Sequence, residues 1–236
     1  MAYRYETHCH SAEGSACSRL SVTDLVHLYR DHGYAGLVLT NHFTGNFAFE
    51  NDISWRDRVN RYFDICEDAA EVGKTCGVQV FPGMEHSAMY DVSNYRTSTG
   101  TDFLVYGLSR EWWLDFSGAF TTYVEKDLDV FRAAGAYVIQ AHPFAEARHI
   151  DFVRLLPRHI DAVEVVNGCK DDETNARALW FARSYGLAMS GGSDTHRVGD
   201  GHRLCGVETD AICENIFDLI EAIRSGNGRP FAGDKV

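Results

Sequence analysis

Short apolar segments alternate with helix-forming segments along the whole chain, and this alternation limits the folds open to it. Seven segments have the length and apolar content of buried parallel strands. They are Tyr3–Thr7, Gly36–Thr40, Val78–Phe81, Asp102–Tyr106, Ala136–Gln140, Ala162–Val166 and Leu187–Ser190. Strands that alternate with helices favour a parallel barrel over two packed antiparallel sheets. We therefore predict an α/β barrel.

Helix boundaries are also visible in the sequence. Ser21–Asp24 and Thr122–Glu125 resemble capping boxes, which mark helix starts. Glycines stand where helices should end before the next strand, at Gly33, Gly73, Gly135 and Gly186.

The length of 236 residues fits a single domain, so we expect one domain spanning residues 1–236. Hydrophobic residues make up 45% and charged residues 24%, as in an average soluble protein. No apolar run approaches the roughly 18 to 20 residues of a transmembrane helix. The segment Met1–His8 has no apolar signal sequence. We expect a cytoplasmic protein without a membrane partner.

The net charge of -12 argues against nucleic acid as the main partner, since phosphate backbones are bound by Lys and Arg. A small phosphorylated substrate is compatible with this charge, because bound divalent cations reverse the local potential. The seven cysteines form no C-x-x-C pair, which disfavours a disulfide scaffold and a cysteine-rich zinc site.

Potential metal ligands follow nearly every predicted strand. In parallel barrels the chemistry lies on loops after the C-terminal ends of the strands. The segments at these ends are His8-Cys9-His10, Asn41-His42, Gly83-Met84-Glu85, His142-Pro143 and Gly191 to His196. The strand at Ala162 carries Glu164 and ends at Asn167. We expect these residues to converge.

The spacing within the pairs suits chelation. In an extended strand His8 and His10 face the same side, so both can bind one ion while Cys9 points away. Asp194 and His196 can do the same, or can bind adjacent ions from a loop. Imidazole and carboxylate without thiolate suit zinc, manganese or iron better than calcium. A lone histidine is more often structural, and we interpret His27, His32, His149 and His159 in that way.

In its ordered set of motifs the chain resembles the PHP (polymerase and histidinol phosphatase) family. The motifs are His8-Cys9-His10-Ser11, Thr40-Asn41-His42, Gly83-Met84-Glu85, Ala141-His142-Pro143-Phe144 and Gly192-Ser193-Asp194-Thr195-His196. The resemblance implies a distorted (βα)7, TIM-barrel-like fold. It also implies two or three divalent ions, commonly zinc, manganese or iron, and hydrolysis of phosphate esters.

Position by position, the resemblance implies three ion sites. The first has His8, His10, Glu85 and Asp194 as ligands. Glu85 bridges to a second ion that His142 also binds, and the third ion takes His42 and His196. Two further ligands fill places where this sequence departs from the family pattern. They are Glu13, in the segment after H-x-H, and Asp102, which can equally be an ordinary residue at a strand start.

The implied mechanism is attack on phosphorus by a hydroxide that bridges the ions, with Glu85 and Asp194 at the reaction centre. His202 could protonate the leaving oxygen, although exposure in a loop is an open alternative. Substrate phosphate could be bound by Arg148, Asn167 and Arg197, or these could be surface residues.

Two other functions stay open at this point: hydrolysis of a C–N bond, and a non-catalytic, metal-stabilised module. The pocket walls are predicted to be residues 44–55 and 87–100. Their aromatic residues Phe47, Phe49, Tyr90 and Tyr95 could stack on a substrate or pack on the barrel rim.

Overall fold

The computed structural model describes residues 2–44, 53–88, 101–121, 123–147, 150, 153–199 and 202–236. Several predicted features lie outside these residues. They are the phosphate-binding candidate Arg148, Thr122 of the second capping box, His149, and the pocket aromatics Phe47, Phe49, Tyr90 and Tyr95.

The described residues form ten strands, and all seven predicted strands are among them. The strands are β1 (Tyr3–Cys9), β2 (Gly36–Leu39), β3 (His42–Thr44), β4 (Gln79–Ala88), β5 (Thr101–Tyr106), β6 (Tyr137–Gln140), β7 (Ala162–Asn167), β8 (Ala188–Gly192), β9 (Arg203–Thr209) and β10 (Arg229–Lys235). The sequence analysis missed β3, β9 and β10.

Six helices connect the strands within the described residues. They are α1 (Val22–Asp31), α2 (Trp55–Cys76), α3 (Arg110–Phe116), α4 (Val124–Ala133), α5 (Asp172–Tyr185) and α6 (Ile216–Ser225). None of them is both long and apolar enough to cross a membrane.

Local signals explain most helix ends. Ser21 caps α1 as predicted, because its side chain accepts a hydrogen bond from the Asp24 amide. The prediction that Gly73 ends a helix is wrong. Gly73 lies inside α2, where a Cβ would come 2.3 Å from the Val78 carbonyl, and α2 ends at the left-handed Gly77. Helix α4 begins after Tyr123, which makes no side-chain cap.

The strands form one nearly closed, barrel-like sheet in the order β10-β9-β1-β2-β4-β5-β6-β7-β8, with β3 paired to β4. Closure comes from the segment after β8. The Asp194 amide donates to the His8 carbonyl (2.7 Å), and the His10 amide donates to the Thr195 carbonyl (3.0 Å). The predicted TIM-like α/β barrel is thus confirmed at the level of architecture.

Two strands, β5 and β9, run against the prediction of an all-parallel barrel, and β9 pairs antiparallel with β1 and β10. β5 pairs antiparallel with both β4 and β6, and Ala88 of β4 lies opposite Thr101 of β5. Antiparallel neighbours need no crossover helix. The reversal places the first residues of β5, including Asp102, at the end of the barrel where the parallel strands finish.

Alternate residues of the strands face two apolar clusters. Leu37 and Leu39 of β2 belong to a cluster with residues of α1, α2 and α4, whereas Val38 belongs to a second cluster with the buried face of α6. This alternation follows from the two-residue period of a strand. The sheet is therefore packed on both faces.

Glu6 is a fully buried carboxylate that ties β1 to the segment after β8. Its Oε1 accepts hydrogen bonds from the amides of His8 (2.6 Å) and Ser193 (2.9 Å), and its Oε2 accepts one from the Ser193 hydroxyl. Burial disfavours the charged form and raises the pKa of Glu6 to about 7. Folding therefore favours the protonated side chain.

This raised pKa predicts a stability that falls with rising pH. Between about pH 4.5 and 7 the unfolded chain ionises Glu6 while the folded chain retains the proton, so the free energy of unfolding decreases across that window. In Glu6→Gln an amide can replace each hydrogen bond without ionising. We expect the variant to gain about 2 kcal/mol over the wild type between pH 5 and pH 8.

Urea unfolding of both proteins, in the presence of a chelator at the two pH values, measures this gain. A difference between the two proteins that is the same at pH 5 and pH 8 would contradict the assigned role of Glu6.

Candidate metal centre

Four residues from three strand ends meet at the centre of the barrel mouth. The Nε2 atom of His8 lies 3.4 Å from Glu85 Oε1 and 3.5 Å from Asp194 Oδ1. The Nε2 atom of His10 lies 3.4 Å from Glu85 Oε2 and 3.4 Å from the same Asp194 oxygen. The sequence-predicted first group is therefore assembled, with all four side chains buried.

Some donor atoms of this group have no hydrogen-bond partner among the described residues. These buried atoms include His8 Nε2, His10 Nε2 and Glu85 Oε2. Leaving such atoms unpaired in the interior costs about 1 to 3 kcal/mol each. Lone pairs that converge without a protein partner fit the requirement of a bound cation.

His142 extends the centre towards β5. Its Nε2 atom lies 3.6 Å from Glu85 Oε1, 3.8 Å from Asp194 Oδ2 and 3.9 Å from Asp102 Oδ2. Glu85, Asp102 and His142 can each offer a ligand atom within 4.8 Å of the others, and so can His8, His142 and Asp194. Asp102, the uncertain candidate of the sequence, is brought into the cluster by the reversed β5.

An outer group adjoins the first one. His10, His42 and His196 can offer ligand atoms within 4.8 Å of one another. The rings of His10 and His196 stack with centroids 4.2 Å apart, and His42 Nδ1 lies 2.8 Å from Glu85 Oε2. Glu85 therefore lies next to both groups and could serve as a common ligand.

Glu164 of β7 fixes the orientation of His8. Its Oε1 lies 2.9 Å from His8 Nδ1, while its Oε2 accepts hydrogen bonds from the His142 amide (2.9 Å) and the Asn167 side chain (2.9 Å). With a carboxylate as partner, Nδ1 carries the ring proton and Nε2 keeps its lone pair for the centre.

The backbone is held in an unfavourable conformation at two of the candidate ligands. Non-glycine residues with positive φ in the described chain are Ser117, His142 (26°) and Asp194 (56°). Such conformations cost about 1 to 3 kcal/mol and cluster at functional sites. Gly192 is also required, since a Cβ there would come 2.4 Å from His8 Cβ. The strained backbone at His142 and Asp194 therefore orients these two side chains towards the centre.

The charges around the centre favour anionic carboxylates. Burial would raise the pKa of Glu85, but the rings of His42 and His8 hold it well below its ordinary value. Burial opposes ionisation of Asp194 in the same way, and His8 and His10 lower its pKa. Both carboxylates are therefore charged and available to a cation.

Several candidates from the sequence lie elsewhere. Glu13 does not reach the cluster, because both its oxygens accept a hydrogen bond from the Val22 amide at the start of α1 (3.0 Å each). His202 is buried, not exposed in a loop, and lines the cavity next to the centre, but both its ring nitrogens have partners: Nε2 is 2.8 Å from Thr195 Oγ1 and Nδ1 is 3.4 Å from Cys169 Sγ.

The other two described candidates lie beside the centre. Asn167 contacts Glu164 and lies 3.4 Å from Asp194 Oδ2, so it supports the carboxylates. Arg197 is exposed and lines a cavity of about 630 Å³ next to the centre, together with Arg19, Lys170 and His196.

Lys170 is a site residue that the sequence analysis did not find. Its ammonium group lies 3.9 Å from Asp194 Oδ2 at the cavity wall. Nothing in its local sequence distinguishes it from a surface lysine. Glu164 did carry a signal, because a charged residue inside an apolar strand must be paired when buried.

Comparisons with known proteins find similarity in part of the sequence and in the fold. A family model described as PHP-associated (PHP_C) matches residues 172–227, which run from α5 through α6. No curated protein matches the chain in sequence.

Solved structures share the fold at low sequence identity. A two-domain protein from Bacteroides vulgatus, described as containing a predicted PHP-like metal-dependent phosphoesterase, matches 98% of this chain with a TM-score of 0.68 and 17% identity. This chain spans 65% of that protein's length.

Two further structures match over most of both chains. A protein from Bifidobacterium adolescentis, assigned as a metal-dependent phosphoesterase, has a TM-score of 0.55 and 16% identity over 93% of this chain and 95% of its own. An amidohydrolase from Chromobacterium violaceum, solved with sulfate and no metal, has a TM-score of 0.56 and 18% identity over 93% and 96%.

The position of Glu164 predicts that Glu164→Gln weakens metal binding. In one amide orientation the NH2 group faces His8 Nδ1 and selects the tautomer whose Nε2 carries the proton. In the other it faces the His142 and Asn167 donors. We expect a loss of about 10- to 100-fold in metal affinity.

Metal titration followed by elemental analysis measures this loss. The matched control is Glu173→Gln, which alters an exposed carboxylate on α5. Equal affinity in the Glu164 variant and the control would show that Glu164 does not position His8.

Proposed function

We propose that the chain is a member of the PHP family and a metal-dependent hydrolase of phosphate esters that acts on a small phosphorylated molecule. One observation carries the proposal. Buried imidazole and carboxylate atoms from five strand ends converge, and several of them have no hydrogen-bond partner among the described residues.

The proposed ligand assignment follows the distances. His8, His10, Glu85 and Asp194 hold one ion, and Glu85 is shared with a second ion at His142. Asp102 joins the second ion from β5, and Glu13 is left out of the assignment. A third ion takes His42 and His196. Two or three divalent ions, such as zinc, manganese or iron, fit these donors.

When bound, divalent ions would neutralise the phosphoryl oxygens of the substrate. They would also lower the pKa of a bound water towards neutral pH, so that hydroxide becomes available. The chain's own residues prepare the site for this chemistry. Glu164 holds the His8 proton at Nδ1, which leaves the Nε2 lone pair to the ion, and Asn167 donates to Asp194 Oδ2. The side chains of Lys170 and Arg197 line the cavity next to the centre, where they could bind the anionic group of a substrate.

Hydrolysis of a C–N bond is the second candidate, because one structure of the same fold carries the name amidohydrolase. The cationic wall at Arg19, Lys170 and Arg197 favours the phosphate ester, since a neutral amide offers these side chains no charge. A non-catalytic module is the weaker alternative, because such a module needs neither the cavity nor its cations.

We predict that the metal-loaded protein releases phosphate from an aryl phosphate, or the aryl alcohol from a diester, and that chelation abolishes this activity. His8→Ala and Asp194→Asn each remove a donor from the central group and should lower both metal content and turnover by about 100-fold or more.

A screen of phosphate esters and amides with the same loaded protein tests the proposal. His159→Ala is the matched histidine control, because His159 pairs with Asp129 at the surface. Amide hydrolysis without phosphate-ester hydrolysis would select the second candidate, and full activity of His8→Ala would contradict both.

A further inference from the structure

Three of the candidate ligand rings have a polar partner at Nδ1. In a neutral imidazole one nitrogen carries the proton and the other keeps a lone pair, so the partner at Nδ1 can decide which nitrogen binds a metal. His8 Nδ1 lies 2.9 Å from the Glu164 carboxylate, and His196 Nδ1 lies 2.9 Å from the Asp194 carbonyl. A carboxylate and a carbonyl can only accept, so Nδ1 carries the proton in both rings.

His10 is different, because the partner of its Nδ1 is a hydroxyl, Ser15 Oγ, at 3.2 Å. A hydroxyl can donate or accept, so this contact alone does not fix the tautomer of His10. The tautomer matters, since His10 Nε2 lies 3.4 Å from both Glu85 Oε2 and Asp194 Oδ1 at the centre. A proton on Nε2 would occupy the lone pair that a metal ion needs.

Asn41 decides the direction of the Ser15 hydroxyl. The Ser11 amide donates to Asn41 Oδ1 (2.7 Å), and Asn41 Nδ2 donates to Ser11 Oγ (3.1 Å). Because a backbone amide can only donate, these contacts fix which end of the Asn41 side chain is the oxygen. Ser15 Oγ lies 3.0 Å from this oxygen and donates its proton to it. With any other direction of the proton, the lone pairs of two oxygens would face each other.

The lone pairs of Ser15 Oγ then face two donors. One is the His42 amide, which donates to Ser15 Oγ (2.9 Å). The other is His10 Nδ1, which carries the ring proton because the one proton of the hydroxyl is already donated to Asn41. In agreement, His10 Nε2 makes no hydrogen bond in the described chain, so a proton there would lack an acceptor.

Burial and close packing keep this arrangement in place. Ser15 has no exposed surface, so its hydroxyl cannot turn to solvent, and Asn41 is 1% exposed. The backbone at Gly14 passes so close that a Cβ would come 2.2 Å from Asn41 Nδ2. The Asn41 carbonyl also accepts hydrogen bonds from the Tyr62 hydroxyl (3.0 Å) and the Glu85 amide (3.1 Å). The position of the Asn41 side chain is therefore fixed on several sides.

We propose that Ser15, oriented by Asn41, is a positioning residue that keeps the His10 proton on Nδ1 and directs the Nε2 lone pair to the metal centre. This inference rests on the metal binding of the proposed function. Ser15 is the neutral counterpart of Glu164, which holds the proton of the His8 ring. A hydroxyl at this place adds no negative charge to a site that already contains several carboxylates.

Nitrogen NMR of the metal-free, full-length protein reads the tautomer without relying on activity. Long-range correlations between ring nitrogens and ring hydrogens distinguish the Nδ1–H form from the Nε2–H form, and a His10→Gln variant identifies the His10 signals. We expect the Nδ1–H form in the wild type. In Ser15→Ala the acceptor is lost, so the ring should shift towards the Nε2–H form, and metal affinity should fall about 10- to 100-fold.

Ser18→Ala is the matched control. The Ser18 hydroxyl is also buried in the same segment, but it donates to the carbonyls of His10 (2.9 Å) and His196 (3.2 Å) and not to a ring. Its removal costs a comparable buried contact without changing the partner of His10 Nδ1. We expect this variant to keep the Nδ1–H form and to bind metal more tightly than Ser15→Ala.

A second variant tests the role of Asn41 while Ser15 stays in place. In Asn41→Ala the Ser15 hydroxyl loses its acceptor and becomes free to donate to His10 Nδ1, so the Nε2–H form should become the main one. An Nδ1–H ring that persists in Ser15→Ala or in Asn41→Ala, or an Nε2–H ring in the wild type, would overturn the inference.

The proposed function fails in a different way. If Ser15→Ala shifts the tautomer but the wild type binds no divalent ion, the proposed function is refuted while the hydrogen-bond assignment stands. If Ser15→Ala binds metal and releases phosphate as well as Ser18→Ala does, this inference alone is refuted.

Discussion

Glu85 is a buried carboxylate among imidazole rings, and the geometry of the barrel mouth depends on it. Four rings approach its oxygens, those of His8, His10, His42 and His142, at 2.8 to 3.6 Å. A buried charge is stable only when it is paired. Cations held between these groups would satisfy the carboxylates and the imidazole lone pairs together, which explains why each side chain is oriented so firmly.

That orientation has structural costs that the rest of the fold sustains. His142 and Asp194 have positive φ, and β8 approaches β1 closely only because position 192 is glycine. The packing on both faces of the sheet keeps these strands in place. Glu164 then sets the protonation of the His8 ring. The fold is thus a rigid support for a set of donor atoms that would repel or stay unsatisfied without an ion.

The sequence predicted the parts that follow from local pattern. The seven strands were recognisable from their apolar residues, and the meeting of His8, Glu85 and Asp194 follows from the common end of parallel strands. The direction of β5 was not predictable, because an apolar pattern is the same for either direction of a strand. Asp102 was therefore predicted as a ligand only as an alternative to an ordinary residue at a strand start.

Residues on loops escaped prediction for a different reason. Glu13 lies in the segment where a ligand was expected, but its carboxylate accepts hydrogen bonds from the Val22 amide at the start of α1. Lys170 reaches the centre from a loop through its ion pair with Asp194, and this contact has no signature in the sequence. Whether a loop residue faces the site is decided by tertiary contacts, which a single sequence does not encode in a local pattern.

An anomalous-scattering map from crystals of the metal-loaded protein tests the central claim most directly. The account predicts two or three peaks at the barrel mouth, one of them among His8, His10, Glu85 and Asp194. A map with no peak within ligand distance of these four residues, from protein that elemental analysis shows to contain metal, would contradict it.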